Sequence, residues 1–282
     1  MALKDARASR RRLARLILAG LVVVHAVAMA AYWQQNRQQL AVVRFLDARS
    51  AWRDGHLDAA ADAYRALLAE RTGIAFPIIL VQHFPSHSDI AYLLGRVEAD
   101  RHRTDAALAA YADAIATGGR GAREYRDLLL VAGRPDTLLQ WSEVEAARDP
   151  TAPQPYKDRG AALLALHRDA EARDAYQAAL DRLPAWRQRI DPKAPPGLSG
   201  EEADLWNLYA AAALRAGDRG AAVAACSAIG RRQTPTAQLD RLCRALLAEA
   251  NGQPADAKRL LEGYLPPAPE HEALTRGLLT SP

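Results

Sequence analysis

Two cysteines in 282 residues leave no disulfide framework, and phenylalanine is scarce, with three residues. Seventeen glycines and sixteen prolines are too few for a collagenous or low-complexity chain. No convincing run alternates at period two, which excludes sandwich and barrel folds. Alanine fills the gap, with 62 residues, about one in five. Its helix propensity is the highest of all residues and its small side chain lets neighbouring backbones approach, so the composition points to close-packed helices. The length matches about two domains of roughly 150 residues each.

The net charge of +4 invites a nucleic-acid partner until it is located. Lys4, Arg7, Arg10, Arg11, Arg12 and Arg15 against Asp5 put +5 on the first fifteen residues and leave −1 on the rest. A nearly neutral body lacks the basic stripe that phosphate binding requires, so nucleic acid is excluded.

Behind the basic tail (1–15) lies LILAGLVVVHAVAMAAYW, residues 16–33, without a formal charge at neutral pH. As a helix it reaches about 27 Å, the short end of what crosses a bilayer core. Tyr32 and Trp33 close it, where amphipathic rings favour the membrane interface. The positive-inside rule then predicts a single-pass inner-membrane protein with a cytoplasmic N-terminus and everything after residue 33 in the periplasm. The competing expectation is a cleaved signal, with Ala28-Met29-Ala30 as the cleavage site and a soluble periplasmic adaptor as the product.

From residue 38 onward, helical periodicity alternates with short breaks containing Gly, Asp or Pro. In PYKDRGAALLALHRDAEARDAYQAALDRLP, Gly160, Ala172, Tyr176, Ala179 and Pro184 follow one another at separations of 12, 4, 3 and 5. Gly95, Ala107, Tyr111 and Ala114 repeat the 12, 4, 3 spacing. Ala60 and Tyr64 follow Gly55; Trp206, Ala210, Gly217, Ala222 and Cys226 form a further unit; Ala245, Gly252, Ala257 and Leu261 form a last one. A degenerate unit holds Gly133, Leu138 and Pro150. This pattern resembles the tetratricopeptide repeat, a helix–turn–helix unit in which small residues let two helices touch, an aromatic fills the gap and proline ends the second helix. The expected fold is all-α, an N-terminal transmembrane helix followed by a TPR-like α-solenoid of about six helix pairs over residues 38–268, with a tail at 269–282. Two inserts interrupt it: an apolar one at 72–88 and a Pro/Gly-rich linker at 185–200.

Catalytic motifs are absent: the chain has no GxxxxGK[ST], GxSxG or paired CxxC. Gly118-Gly119-Arg120-Gly121 follows a helix and lacks the strand-to-helix context of a phosphate cradle. His83, His87 and Asp89 flank Pro85 and read as a polar turn opening the next helix rather than as metal ligands. No metal or cofactor is expected. Cys226 and Cys243, seventeen apart on successive helices, are either a disulfide or two buried thiols packing as small hydrophobes.

In tetratricopeptide arrays the first helices of successive pairs line a groove that receives a peptide or protein. The resemblance puts Arg49, Tyr92, Arg96, Arg120, Arg123, Lys157 and Asn207 on or near that groove, with a basic middle suited to an acidic segment or a carboxyl terminus. The expected function is a non-enzymatic, membrane-anchored scaffold that binds protein partners in the periplasm during assembly or maturation of an envelope or redox/metalloenzyme complex. An enzyme with a site built on the repeats is the alternative from another class.

Overall fold

The computed structural model describes residues 2–70, 85–191, 200–230, 237–264, 269, 271 and 272; within these, side chains are described except at 2–19, 34–35, 37–39, 200–201, 230 and 237–240. The apolar insert from Ile74 to Phe84 and most of the 185–200 linker lie outside the described residues. Among the described residues there are twelve α-helices and no strand. They form two compact units, Met1–Gly121 and Ala122–Pro282.

The first unit holds α1 (Ala2–Arg53), α2 (Leu57–Ala69), α3 (His87–Asp100) and α4 (Thr104–Ala116). The second holds α5 (Ala122–Val131), α6 (Pro135–Arg148), α7 (Gln154–Ala165), α8 (Asp169–Ile190), α9 (Gly200–Arg215), α10 (Arg219–Gly230), α11 (Ala237–Ala250) and α12 (Pro254–Leu261). Successive helices pack as the pairs α1·α2 and α3·α4 in the first unit, and α5·α6, α7·α8, α9·α10 and α11·α12 in the second.

One turn closes all six pairs. The backbone N–H of His56, Arg103, Arg134, Arg168, Asp218 and Gln253 each donates to the carbonyl five residues earlier, at 2.8–2.9 Å. The residue before each has positive φ: Gly55, His102, Gly133, His167, Gly217 and Gly252. This is the Schellman closure, which satisfies carbonyls at the helix end through one left-handed residue. Four positions use glycine; His102 and His167 adopt the same conformation despite a Cβ, at φ 58° each.

Four residues beyond each of those donors sits the small or apolar residue of the repeat: Ala60, Ala107, Leu138, Ala172, Ala222 and Ala257, none more than 1% exposed. The helix pairs meet at these points. A Cβ on Gly95 would lie 2.5 Å from the Tyr111 ring, and one on Gly160 2.6 Å from that of Tyr176. Glycine in the first helix is thus what admits the tyrosine of the second. In the α1·α2 pair, Ala48 replaces this glycine and Tyr64 is fully buried, its ring 6.0 Å from Phe45. Around these rings each unit builds its own core: Tyr64, Ile90, Leu94 and Val97 in the first, and Tyr176, Leu183, Leu208, Ile229 and Leu246 in the second. The chain therefore has an all-α, TPR-like fold.

One expectation changes. Pro184 does not end its helix: α8 continues through it to Ile190, so 185–190 are helical rather than linker. A proline inside a helix removes one hydrogen bond and costs about 3 kcal/mol. Here Pro184 itself is exposed, and the turns beyond it are fastened. Arg189 bonds Thr151 Oγ1 (2.7 Å) and Asp149 Oδ2 (3.0 Å) and stacks on Trp186, and Arg187 reaches Glu202. The expected membrane span covers residues 16–33. Helix α1 runs through them, but among the described residues no helix is long and apolar enough to cross a membrane.

Candidate functional site

The first helices of the pairs carry two distinct charged faces, one in each unit. In the first unit the face is built on α1, α3 and the turn after α4. Trp52, on the last turn of α1, donates its indole N–H to Asp100 Oδ2 at 2.7 Å. That bond fixes a ring on which the Arg96 guanidinium stacks, 4.8 Å from the centroid. One helical turn earlier on α3, the buried Tyr92 supports Arg120, 4.4 Å from its centroid. Asp89 is 3.9 Å from Arg120, and its carboxyl is held below the usual range, first by the Ser86 hydroxyl and also by Arg120. Ser86 in turn caps α3 in a capping box with Asp89. Arg49, three residues before Trp52, is exposed, as are Arg96 and Arg120. Of the seven expected groove residues, Arg49, Arg96 and Arg120 are therefore exposed cations, the last two over the rings of Trp52 and Tyr92. Trp52, which positions Arg96, carries no repeat-spacing signal and was not legible as part of the site.

Between α2 and α3 the charges are structural. Glu98, 1% exposed, accepts from Arg65 and from Arg101, which also reaches Asp58. A buried carboxylate with two guanidinium partners fastens adjacent pairs and leaves little for a ligand.

In the second unit the remaining three residues have different fates. Arg123 is 75% exposed, with its guanidinium 3.7 Å from Asp127. Lys157, on α7, is not a solvated groove cation: its Nζ donates to Asp204 Oδ2 on α9 at 2.7 Å. Asn207, on α9, is fully buried. Asp204 has a second neighbour, His271, whose Nε2 lies 2.6 Å from Oδ1 and which is itself fully buried. Burial alone would raise the Asp204 carboxyl, but the His271 hydrogen bond and the Lys157 ammonium outweigh it and hold the group at about 2. Beside Lys157, Asp158 is 1% exposed. Its Oδ1 accepts from Gln154 (2.7 Å) and Arg126 (3.3 Å), while Oδ2 has no hydrogen-bond partner among the described residues. Burial pushes its carboxyl up to about 6, against the opposing pull of Arg126, Gln154 and Lys157.

Cys226 and Cys243 form a disulfide joining α10 to α11, with Cys226 at the position where three other pairs have a tyrosine. Among the described residues no three His, Cys, Asp or Glu side chains are grouped to hold a metal. His87 is 2.8 Å from Asp113, Asp89 belongs to the α3 cap, and His83 lies outside the described residues.

No protein-family model matches the chain, and no curated protein does. Among solved structures, MamA (41-end) from Desulfovibrio magneticus RS-1 is similar at 15% identity and a TM-score of 0.45, over 68% of this chain and 93% of that one. PilF of Pseudomonas aeruginosa is similar at 15% identity and 0.46, over 86% and 99%. A tetratricopeptide repeat protein from Parabacteroides merdae ATCC 43184 is similar at 12% identity and 0.41, over 86% and 98%. These scores lie below 0.5, and the TPR-like character stands on the repeated turn and the packing described above.

Proposed function

We propose that this chain is a membrane-anchored adaptor whose TPR-like repeats bind an acidic segment of a protein partner in the periplasm, during assembly or maturation of an envelope or redox/metalloenzyme complex. The observation that carries the partner's chemistry is the set of exposed arginines, Arg49, Arg96 and Arg120, on the first unit. A guanidinium stacked on a ring is oriented by its face, while its edge N–H groups stay directed outward for carboxylates.

Three features support the anchored, exported arrangement. The +5 tail precedes the apolar run, as the positive-inside rule requires of a cytoplasmic N-terminus. The α1 side chains from residue 20 to 33 are all exposed, an apolar surface suited to lipid rather than to water. The Cys226–Cys243 disulfide suits an oxidising compartment.

Two fusions and one variant test the proposal. A reporter that works only in the periplasm, fused after Pro282, is expected to be active, and one that works only in the cytoplasm silent; the reverse pattern refutes export. Arg49→Glu/Arg96→Glu/Arg120→Glu is expected to keep its helicity and to lose binding of an Asp/Glu-rich synthetic peptide. Each exposed charge alone contributes about 1 kcal/mol or less, so the triple reversal is needed. Binding by the wild-type chain should also weaken with added salt, because exposed charges are screened over about 8 Å at physiological ionic strength. Peptide binding that survives both the reversal and salt refutes the arginine surface.

A further inference from the structure

Helix α1 carries the apolar run and the first repeat on one unbroken rod. From Leu21 to Arg53 the sequence holds no glycine and no proline, and the helix continues through all of it. Sharp helix bends arise chiefly at such residues, so position along α1 converts to distance at about 1.5 Å per residue. The segment QQNRQQ, residues 34–39, follows Trp33 and holds no apolar residue, a composition suited to a helix bridging through solvent. Among the described side chains, packing begins at Ala41, and Phe45, Ala48 and Trp52 continue it in the core of the first unit. Two cross-links clamp this end of the rod. Arg44 pairs with Glu70 just past α2, and Trp52 donates to Asp100 on the last turn of α3. Arg49 lies 16 residues past Trp33, and Trp52, over which Arg96 stacks, lies 19 past it. Along the helix axis these are about 24 and 28 Å.

We infer that α1 is a ruler: it holds the arginines of the first unit at a fixed height above the membrane, and so selects acidic segments of proteins anchored in the same membrane whose linkers reach that height. The inference rests on the proposed anchoring and arginine surface, and it adds the kind of partner. The headgroup layer adds only about 5–8 Å to each side of the hydrocarbon core, so anionic lipid stays below Arg49 and Arg96. A chain tethered in the membrane can climb to them. Extended, it gains about 3.3–3.6 Å per residue, so its acidic residues must lie at least about seven residues past its own span. A flexible linker matches the height best near about twenty residues, where its r.m.s. reach of 5–6 Å × √n comes to about 25 Å. Shorter linkers cannot span the gap, and longer ones dilute the segment. At the match the effective concentration is on the order of millimolar, a gain that a soluble acidic protein lacks. Selection by height needs no contact beyond the charge complementarity already present.

The test uses the full chain in zwitterionic lipid vesicles, repeats outward, and a synthetic cluster of four Asp/Glu residues. The cluster is coupled to lipid directly, through five or twenty Gly/Ser residues, or left lipid-free on the twenty-residue spacer. Energy transfer between a donor on the first unit and an acceptor on the cluster reads binding, with the Arg49→Glu/Arg96→Glu/Arg120→Glu chain as background. The directly coupled cluster reaches only about 14 Å and is expected not to bind. On the twenty-residue tether it is expected to bind at least about tenfold more tightly than the lipid-free form. Duplicating residues 34–40 lengthens the rod by about 10 Å in nearly the same helical phase. The five-residue tether, whose cluster ends at about 30 Å, is expected to bind wild type and to miss the lengthened chain. Binding of the directly coupled cluster to wild type, equal affinity of tethered and lipid-free clusters, or indifference to the duplication overturns the ruler and leaves the arginine surface standing. Failure of the lipid-free cluster to bind wild type refutes the arginine surface, and the ruler with it.

Discussion

Asp158 offers the sharpest energetic test of the structure, because its environment reverses the usual behaviour of an aspartate. Aspartates in folded proteins titrate on average slightly below their free value; this one is pushed from 3.8 up to about 6, chiefly by burial. In the window between those values the folded chain holds a proton that the unfolded chain has released. Folding therefore takes up a proton there, and stability falls as pH rises. The contribution is fully present below 3.8 and lost once the pH passes about 6. The separation corresponds to about 3 kcal/mol between the two limits. Asp158→Asn keeps the side chain's shape and the Oδ1 acceptor for Gln154, and it cannot ionise. Arg126 loses a charged neighbour but retains Asp127 at 3.0 Å, which limits the offset. The variant is expected to match wild type near pH 4 and to exceed it by about 1–3 kcal/mol near pH 7. Urea unfolding followed by circular dichroism across that range reads the difference directly. A difference that stays constant with pH, or an asparagine variant that is less stable near pH 7, refutes the assigned burial of an ionisable Asp158.

Gly160→Ala should destabilise by about 1–3 kcal/mol in thermal unfolding, although alanine is the better helix former, because the new Cβ would meet the Tyr176 ring at 2.6 Å. A neutral or stabilising effect would place the Tyr176 ring elsewhere. His102→Gly should raise stability by about 0.5–1 kcal/mol, since an exposed residue at φ 58° is relieved of its Cβ clash at some entropic cost to the unfolded chain. A lower melting temperature would contradict the left-handed closure of that turn. Removing the Cys226–Cys243 link as Cys226→Ala/Cys243→Ala should cost about 3 kcal/mol for a separation of 17 residues, and reductant should mimic it in wild type but not in the variant. Indifference of wild type to reductant would exclude a stabilising disulfide.

What the sequence reveals here follows from the range of the interactions. Ala60, Ala107, Ala172, Ala222 and Ala257 recur because each marks a helix–helix crossing one repeat apart, and Leu138 keeps the same place in the degenerate pair. Local sterics fix such positions, so spacing alone locates them. The turns at His102 and His167 leave no trace, because the left-handed residue there is not glycine and the Schellman bond is made by backbone. Pro184 misleads for a related reason: its effect on helix continuation depends on anchors such as Asp149 and Thr151, which are distant in sequence. The charged faces divide along the same line. Arg96 stays exposed because its partner is an aromatic ring that takes the guanidinium face and leaves its edge outward. Lys157 is equally well placed in the repeat, but a carboxylate 47 residues away claims it, and a histidine beyond the last helix claims that carboxylate in turn. A repeat frame specifies which way a side chain points, whereas its charge state and accessibility belong to whatever the rest of the chain brings over it. For this reason the two faces, alike in frame, differ in what they expose: arginines over aromatic rings in one unit, and a lysine already paired with a carboxylate in the other.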